Sequence, residues 1–128
     1  MLNNFLTIIV LTLESEMEDK TNLQSLNGLA NKQQWVLLYF STSWCAPCKD
    51  MALIMDEISM QYIDQLEVVK VDVDKQMQLA RECDVKGVPT LVLLEELNKK
   101  SSLIGGVTST QVTDWLDIQL HTTSEQLT

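Results

Sequence analysis

Apolar residues along this chain fall into two alternating patterns, and the alternation itself predicts an architecture. Residues 5–13, 35–40, 68–73 and 90–94 form nearly continuous apolar runs, rich in β-branched side chains and too apolar for loops; they predict strands. Between them the apolar positions recur at helical spacing. Leu23, Leu26 and Ala30 follow Thr21, and Val112, Trp115, Leu116 and Leu120 follow Thr108. Met51, Ile54, Met55, Ile58 and Tyr62 stand at i, i+3, i+4, i+7 and i+11. Each set makes one apolar stripe facing a core. Thr21 with Gln24, and Thr108 with Gln111, have capping-box spacing and mark helix starts. A short helix is expected after Asp74 as N-cap, a short strand near Leu103 and Ile104, and a hairpin connection over 95–100. Strand and helix alternate, so the expected fold class is α/β: a central sheet of about five strands flanked on both faces by about four helices. The run 35–40, apolar on both sides, belongs at the centre of the sheet.

A chain of 128 residues fills one core and leaves no room for a second, so a single domain over 1–128 is expected. Its formal net charge is -9, from 18 acidic and 9 basic residues, and Lys49, Lys70, Lys75, Lys86, Lys99 and Lys100 are scattered among carboxylates. A phosphate backbone would be repelled, and nucleic acid is not an expected partner. The run 5–13 is shorter than the ~20 residues that span a bilayer. No Lys or Arg precedes it, and it leads into Glu14, Glu16, Glu18 and Asp19 instead of a small-residue cleavage site. It reads as a first strand followed by an acidic loop, with a targeting segment as the alternative. No membrane association is expected.

Three cysteines are too few for a disulfide scaffold and cannot all pair internally, which favours a reducing compartment. Cys45, Ala46, Pro47 and Cys48 lie between a predicted buried strand and an amphipathic helix. The first turn of a helix has unpaired N–H groups and the positive end of the dipole, so a thiolate at Cys45 is favoured there. Cys48, one turn on, is close enough to close a short disulfide. Zinc would need four ligands, and only Cys83 and His121 remain, at no zinc spacing. A purely structural bridge across so short a loop would remove little unfolded-state entropy. Redox use is the reading left.

The sequence here resembles the thioredoxin family. Trp44 to Lys49 resembles its active-site motif, with Ala46 where glycine is usual. Gly87, Val88, Pro89 and Thr90 resemble its cis-proline loop, Lys70 to Asp74 its third strand, and Gly105 a glycine of its substrate groove. The resemblance covers about residues 21–120. It implies a thioredoxin fold with a mixed sheet, and a protein-disulfide oxidoreductase in which Cys45 attacks and Cys48 resolves. It also implies a groove bordered by Trp44, Ala46, Pro47, Val88, Pro89 and Gly105, a cis Val88–Pro89 bond, and recharging by an NADPH-dependent thioredoxin reductase. No cofactor on this chain itself is implied. The expected protein is a cytoplasmic monomer that reduces disulfides in other proteins. An extracytoplasmic oxidant or isomerase, and a redox-inert interaction module, are the alternatives.

Two departures from the family stand out. Tyr39 occupies the position of its buried aspartate, which puts base assistance to the resolving thiol in doubt. Leu53 replaces the proline that kinks its helix, so a straighter helix is expected. Cys83 is read as a structural thiol, His121 as solvated, and Trp35 and Trp115 as core.

Overall fold

The computed structural model describes residues 35–121. Strand β1 (Trp35–Ser41) leads through a short turn into helix α1 (Ala46–Gln61), which crosses back to β2 (Leu66–Asp72). Helix α2 (Met77–Glu82), strands β3 (Thr90–Glu95) and β4 (Asn98–Ile104), and helix α3 (Ser109–His121) complete the order. The sheet runs β2-β1-β3-β4. β1 and β2 are parallel, in register from Trp35↔Leu66 to Ser41↔Asp72, while β1–β3 and β3–β4 are antiparallel. The sheet is therefore mixed, with β1 in its interior.

β1 takes that place because both of its faces are apolar. Leu37 and Tyr39 meet Met51, Met55 and Ile58 of α1 and Val112 and Leu116 of α3 on one face. Val36, Leu38 and Phe40 meet Leu79 and Ala80 of α2, together with Cys83, on the other. Burying each such side chain contributes about 1.5–3 kcal/mol. An interior strand of a sheet covered on both sides collects that term at every position.

The predicted first strand (5–13) and the helix after Thr21 lie outside the described residues, within which the sheet has four strands and three helices. Three local expectations are corrected. Gln76, not Asp74, is the N-cap of α2. The Asp72 carboxylate accepts the Asp74 N–H, and the Asp72 carbonyl accepts the Lys75 and Gln76 N–H groups, so a turn delays the helix. The hairpin connection is not 95–100 but the two residues Glu96 and Leu97, both at positive φ (51° and 67°), the geometry of a tight turn matching strand twist. The short strand near Leu103 is accordingly seven residues long.

The C-terminal helix starts as its spacing predicts. The Gln111 N–H donates to Thr108 Oγ1 at 3.1 Å and the Thr108 N–H to Gln111 Oε1 at 2.8 Å, a reciprocal capping box. Tyr62, the C-cap of α1, joins that helix to α3 by donating to Asp117 Oδ1 at 2.7 Å. Trp35 is buried, and Trp115 packs against the core with its indole N–H on Ser101 Oγ. His121 ends α3, exposed, with a ring nitrogen on the Asp117 carbonyl. Among the described residues no helix is long and apolar enough to cross a membrane.

Candidate active site

Cys45 is the N-cap of α1, with extended backbone (φ -88°, ψ 109°), and Ala46 and Pro47 open the helix. Proline is tolerated there because a first-turn N–H has no intrahelical partner to lose. The chain turns sharply into the helix as the Cys45 N–H donates to the Thr42 carbonyl. One turn on, Cys48 closes a disulfide with Cys45 across a Cα–Cα distance of 5.3 Å. The Cys48 N–H donates to Cys45 Sγ at 3.2 Å, so an otherwise orphaned helix donor points at that sulfur. Both cysteines are almost fully buried in the disulfide, at 5% and 4% exposure. The helix start does not by itself leave Cys45 the more accessible of the two.

Around the pair the chain places the residues singled out by sequence. Trp44 is 72% exposed, yet its indole N–H is fixed on Asp74 Oδ2 at 3.1 Å. Ala46 and Pro47 are exposed, Val88 is half-buried and Pro89 buried. The Val88–Pro89 bond is cis, and Thr90 Oγ1 closes its loop on the Gly87 carbonyl at 2.7 Å. Gly105, at φ +93°, donates its N–H to the Pro89 carbonyl at 2.9 Å, and a Cβ at Gly106 would stand 3.7 Å from that of Pro47. The helix start, the proline loop and the end of β4 therefore converge.

Tyr39 lies beneath the pair. It is 1% exposed, and its hydroxyl donates to the Cys48 carbonyl at 2.5 Å. Burial pushes the phenol up to about 12, with the Ser41 hydroxyl acting against that shift. Lys70 shares Tyr39's side of the sheet as its register partner, but its ammonium is held by Asp56 Oδ1 at 3.1 Å, two turns along α1 from Cys48. Leu53 leaves α1 unbroken for 16 residues. Cys83 is a free, buried thiol on the opposite face. Burial pushes it up to about 11, the Lys99 ammonium opposing and Glu82 adding.

No sequence pattern marks Gly106 as packing on Pro47, Ile104 as more than a strand residue, or Asp74 as the anchor of Trp44. An acidic residue before a helix predicts an N-cap, but the Asp74 carboxylate accepts from the Trp44 indole instead. Ile104, 72% exposed at the end of β4, turns outward only through strand register.

The family model for thioredoxin matches residues 16–118. Thioredoxin 1 of Synechococcus elongatus is 35% identical over 85 residues, 66% of this chain and 79% of that protein. A thioredoxin of Griffithsia pacifica is 33% identical over 93 residues, 73% of this chain and 85% of its own length. In three dimensions a mutant thioredoxin from Halobacterium salinarum superposes with a TM-score of 0.67 at 25% identity, covering 78% of this chain and 87% of that one. With the cysteine pair at its expected spacing inside that match, the chain belongs to the thioredoxin family and is a protein-disulfide oxidoreductase.

Proposed function

We propose that this protein works as a reductant of protein disulfides, as a single-domain cytoplasmic monomer. Cys45 is the attacking thiol and Cys48 the resolving one. The observation that carries the assignment is the Cys48 N–H on Cys45 Sγ, because the same donor and the positive helix end would stabilise a thiolate at Cys45 once the bridge is reduced. Trp44, Ala46, Pro47, Val88, Pro89 and Gly105 border the surface that receives the substrate polypeptide. Backbone groups beside Pro89 offer pairing to an extended chain. An NADPH-dependent thioredoxin reductase returns electrons to the disulfide, as the family membership suggests.

The reduction potential tests the direction of transfer. A value near about -270 mV marks a reductant, and one near about -120 mV an oxidant. Trapping tests the roles. Cys48→Ser should accumulate mixed disulfides with substrate proteins, whereas Cys45→Ser should trap almost none.

A further inference from the structure

Tyr39 joins β1 to the first turn of α1 by a single buried hydrogen bond, nine residues apart in sequence, on the carbonyl of one of the two redox cysteines. A phenol has one proton to give, and here the carbonyl takes it. We propose that Tyr39 is a positioning residue for the second step of disulfide exchange: it holds the first turn of α1 with the Cys48 sulfur against Cys45 and accepts no proton, so the proton of Cys48 passes to water. This rests on Cys48 being the resolving thiol.

In that step the Cys48 thiol loses its proton to water and its sulfur bonds to Cys45 Sγ. The bond between Cys45 and the substrate sulfur breaks, and the electron pair leaves on the substrate sulfur, which is protonated from solvent. Over the two exchange steps together the protein is oxidised by two electrons and the substrate reduced by two.

The surroundings of the phenol support this. β3 contributes Leu91 to the cluster around it and α3 contributes Val112 and Leu116, all apolar. Charged groups on the neighbouring elements are engaged elsewhere or exposed: Lys70 on β2 is bridged to Asp56 of α1, Asp72 of β2 accepts from the Asp74 N–H, and Asp117 of α3 accepts from Tyr62. Lys49, Asp50 and Glu57 of α1 and Asp114 of α3 are exposed, and Asp74, in the turn after β2, is bonded to Trp44. Burial keeps the phenol in its neutral form. Water has a place at the end of the strand that carries Tyr39. A cavity of about 330 Å³ opens where β1 and β2 end, lined by Ser41, Thr42, Lys70, Asp72 and Lys75 among others. The Thr42 hydroxyl, buried and without a hydrogen-bond partner, is the kind of group an ordered water satisfies.

The test is a stopped-flow reaction of the reduced protein with limiting dithiobis(nitrobenzoate). Attack by the first thiol releases one coloured thiolate, and intramolecular resolution releases the second. The native resolving rate should rise close to tenfold per pH unit from about pH 6 to 8, following the thiolate fraction of an unassisted thiol. Tyr39→Phe should resolve at least threefold more slowly with the same slope. Tyr39→Asp, which places a base beneath Cys48, should resolve at least tenfold faster near pH 6 with a flatter acid limb, a floor set below the range of about 10² to 10⁴ usual for general-base help because the native water route already supplies part of it. A flat native profile, a Tyr39→Phe rate equal to native, or a Tyr39→Asp profile as steep as native would each overturn the proposal. Should Tyr39→Asp fail to fold, the native and Tyr39→Phe profiles decide alone. A first release that survives at the native rate in Cys45→Ser would instead overturn the assignment of thiol roles, and is read independently of pH.

Discussion

Three thiols in one small protein meet three environments, and their chemistry should separate accordingly. Cys45 has a helix N–H on its sulfur, Cys48 sits a turn inside, and Cys83 is buried against Leu79, Val92 and neighbouring apolar side chains. In the reduced protein near neutral pH, a limiting dose of iodoacetamide should alkylate Cys45 first and leave Cys83 unlabelled until denaturant is added; peptide mapping reads the order. Cys83 also ties stability to alkaline pH. Its folded pKa is raised from 9.0 to about 11, so the stability held by the neutral thiol is whole below about pH 9 and is lost as pH rises through about 11. The loss is on the order of 2 kcal/mol. Urea unfolding of the oxidised protein, in which the other two thiols do not titrate, should show a shallower decline from about pH 9 to 11 for Cys83→Ala than for the native chain. Equal slopes would rule this linkage out. The burial of Cys83 was legible only from residue type, since an unpaired cysteine is commonly a buried structural thiol while its neighbours Glu82 and Asp84 are acidic; the contact of Tyr39 with Cys48 was not legible, since a hydroxyl's partner nine residues away depends on how a helix docks.

At the scale of elements, the junction between β4 and α3 holds two adjacent glycines with opposite requirements. Gly105 lies at φ +93° with open space where a Cβ would go, while Gly106 has an ordinary φ and would place a Cβ in normal contact with Pro47. Gly105→Ala should therefore destabilise by about 1–3 kcal/mol through backbone strain alone. Gly106→Ala should stay within about 0.5 kcal/mol of native or gain slightly, from the reduced entropy of the unfolded chain. Paired denaturant curves distinguish them. The capping box at the start of α3 supplies the third comparison: Thr108→Ala should cost about 1 kcal/mol, and Thr108→Ser should recover most of it. That box was readable because capping is local, three residues of spacing and two side-chain types. The hairpin between β3 and β4 was readable over 95–100 but its two-residue turn was not, because Glu96 and Leu97 adopt positive φ without the Asn or Gly that usually announces it. Sheet pairing on either side outweighs the local cost.

Over the whole molecule the excess of carboxylates, 18 against 9 basic residues, sets a long-range field that any substrate meets before the cysteines do. Second-order rates should fall with added salt for a substrate of net positive charge and rise for a net negative one, converging near about 0.5 M where the Debye length is only a few ångströms. Insulin and a lysine-rich disulfide peptide, assayed across a salt series, make the comparison. Rates that move in the same direction for both would show that contact, not charge, governs encounter. What the sequence determined by itself was the alternation of strand and helix, the central place of a strand apolar on both sides, and the cysteine pair at a helix start, since each follows from periodicity or from groups within one turn. The tertiary structure alone decided that Tyr39 reaches the Cys48 carbonyl, that Lys70 is held by Asp56, that Asp74 anchors Trp44, and that Gly105 closes on Pro89. Each of those contacts joins residues far apart in sequence, and such pairs are set by register and by helix docking, which the burial of many side chains fixes together and no local pattern encodes.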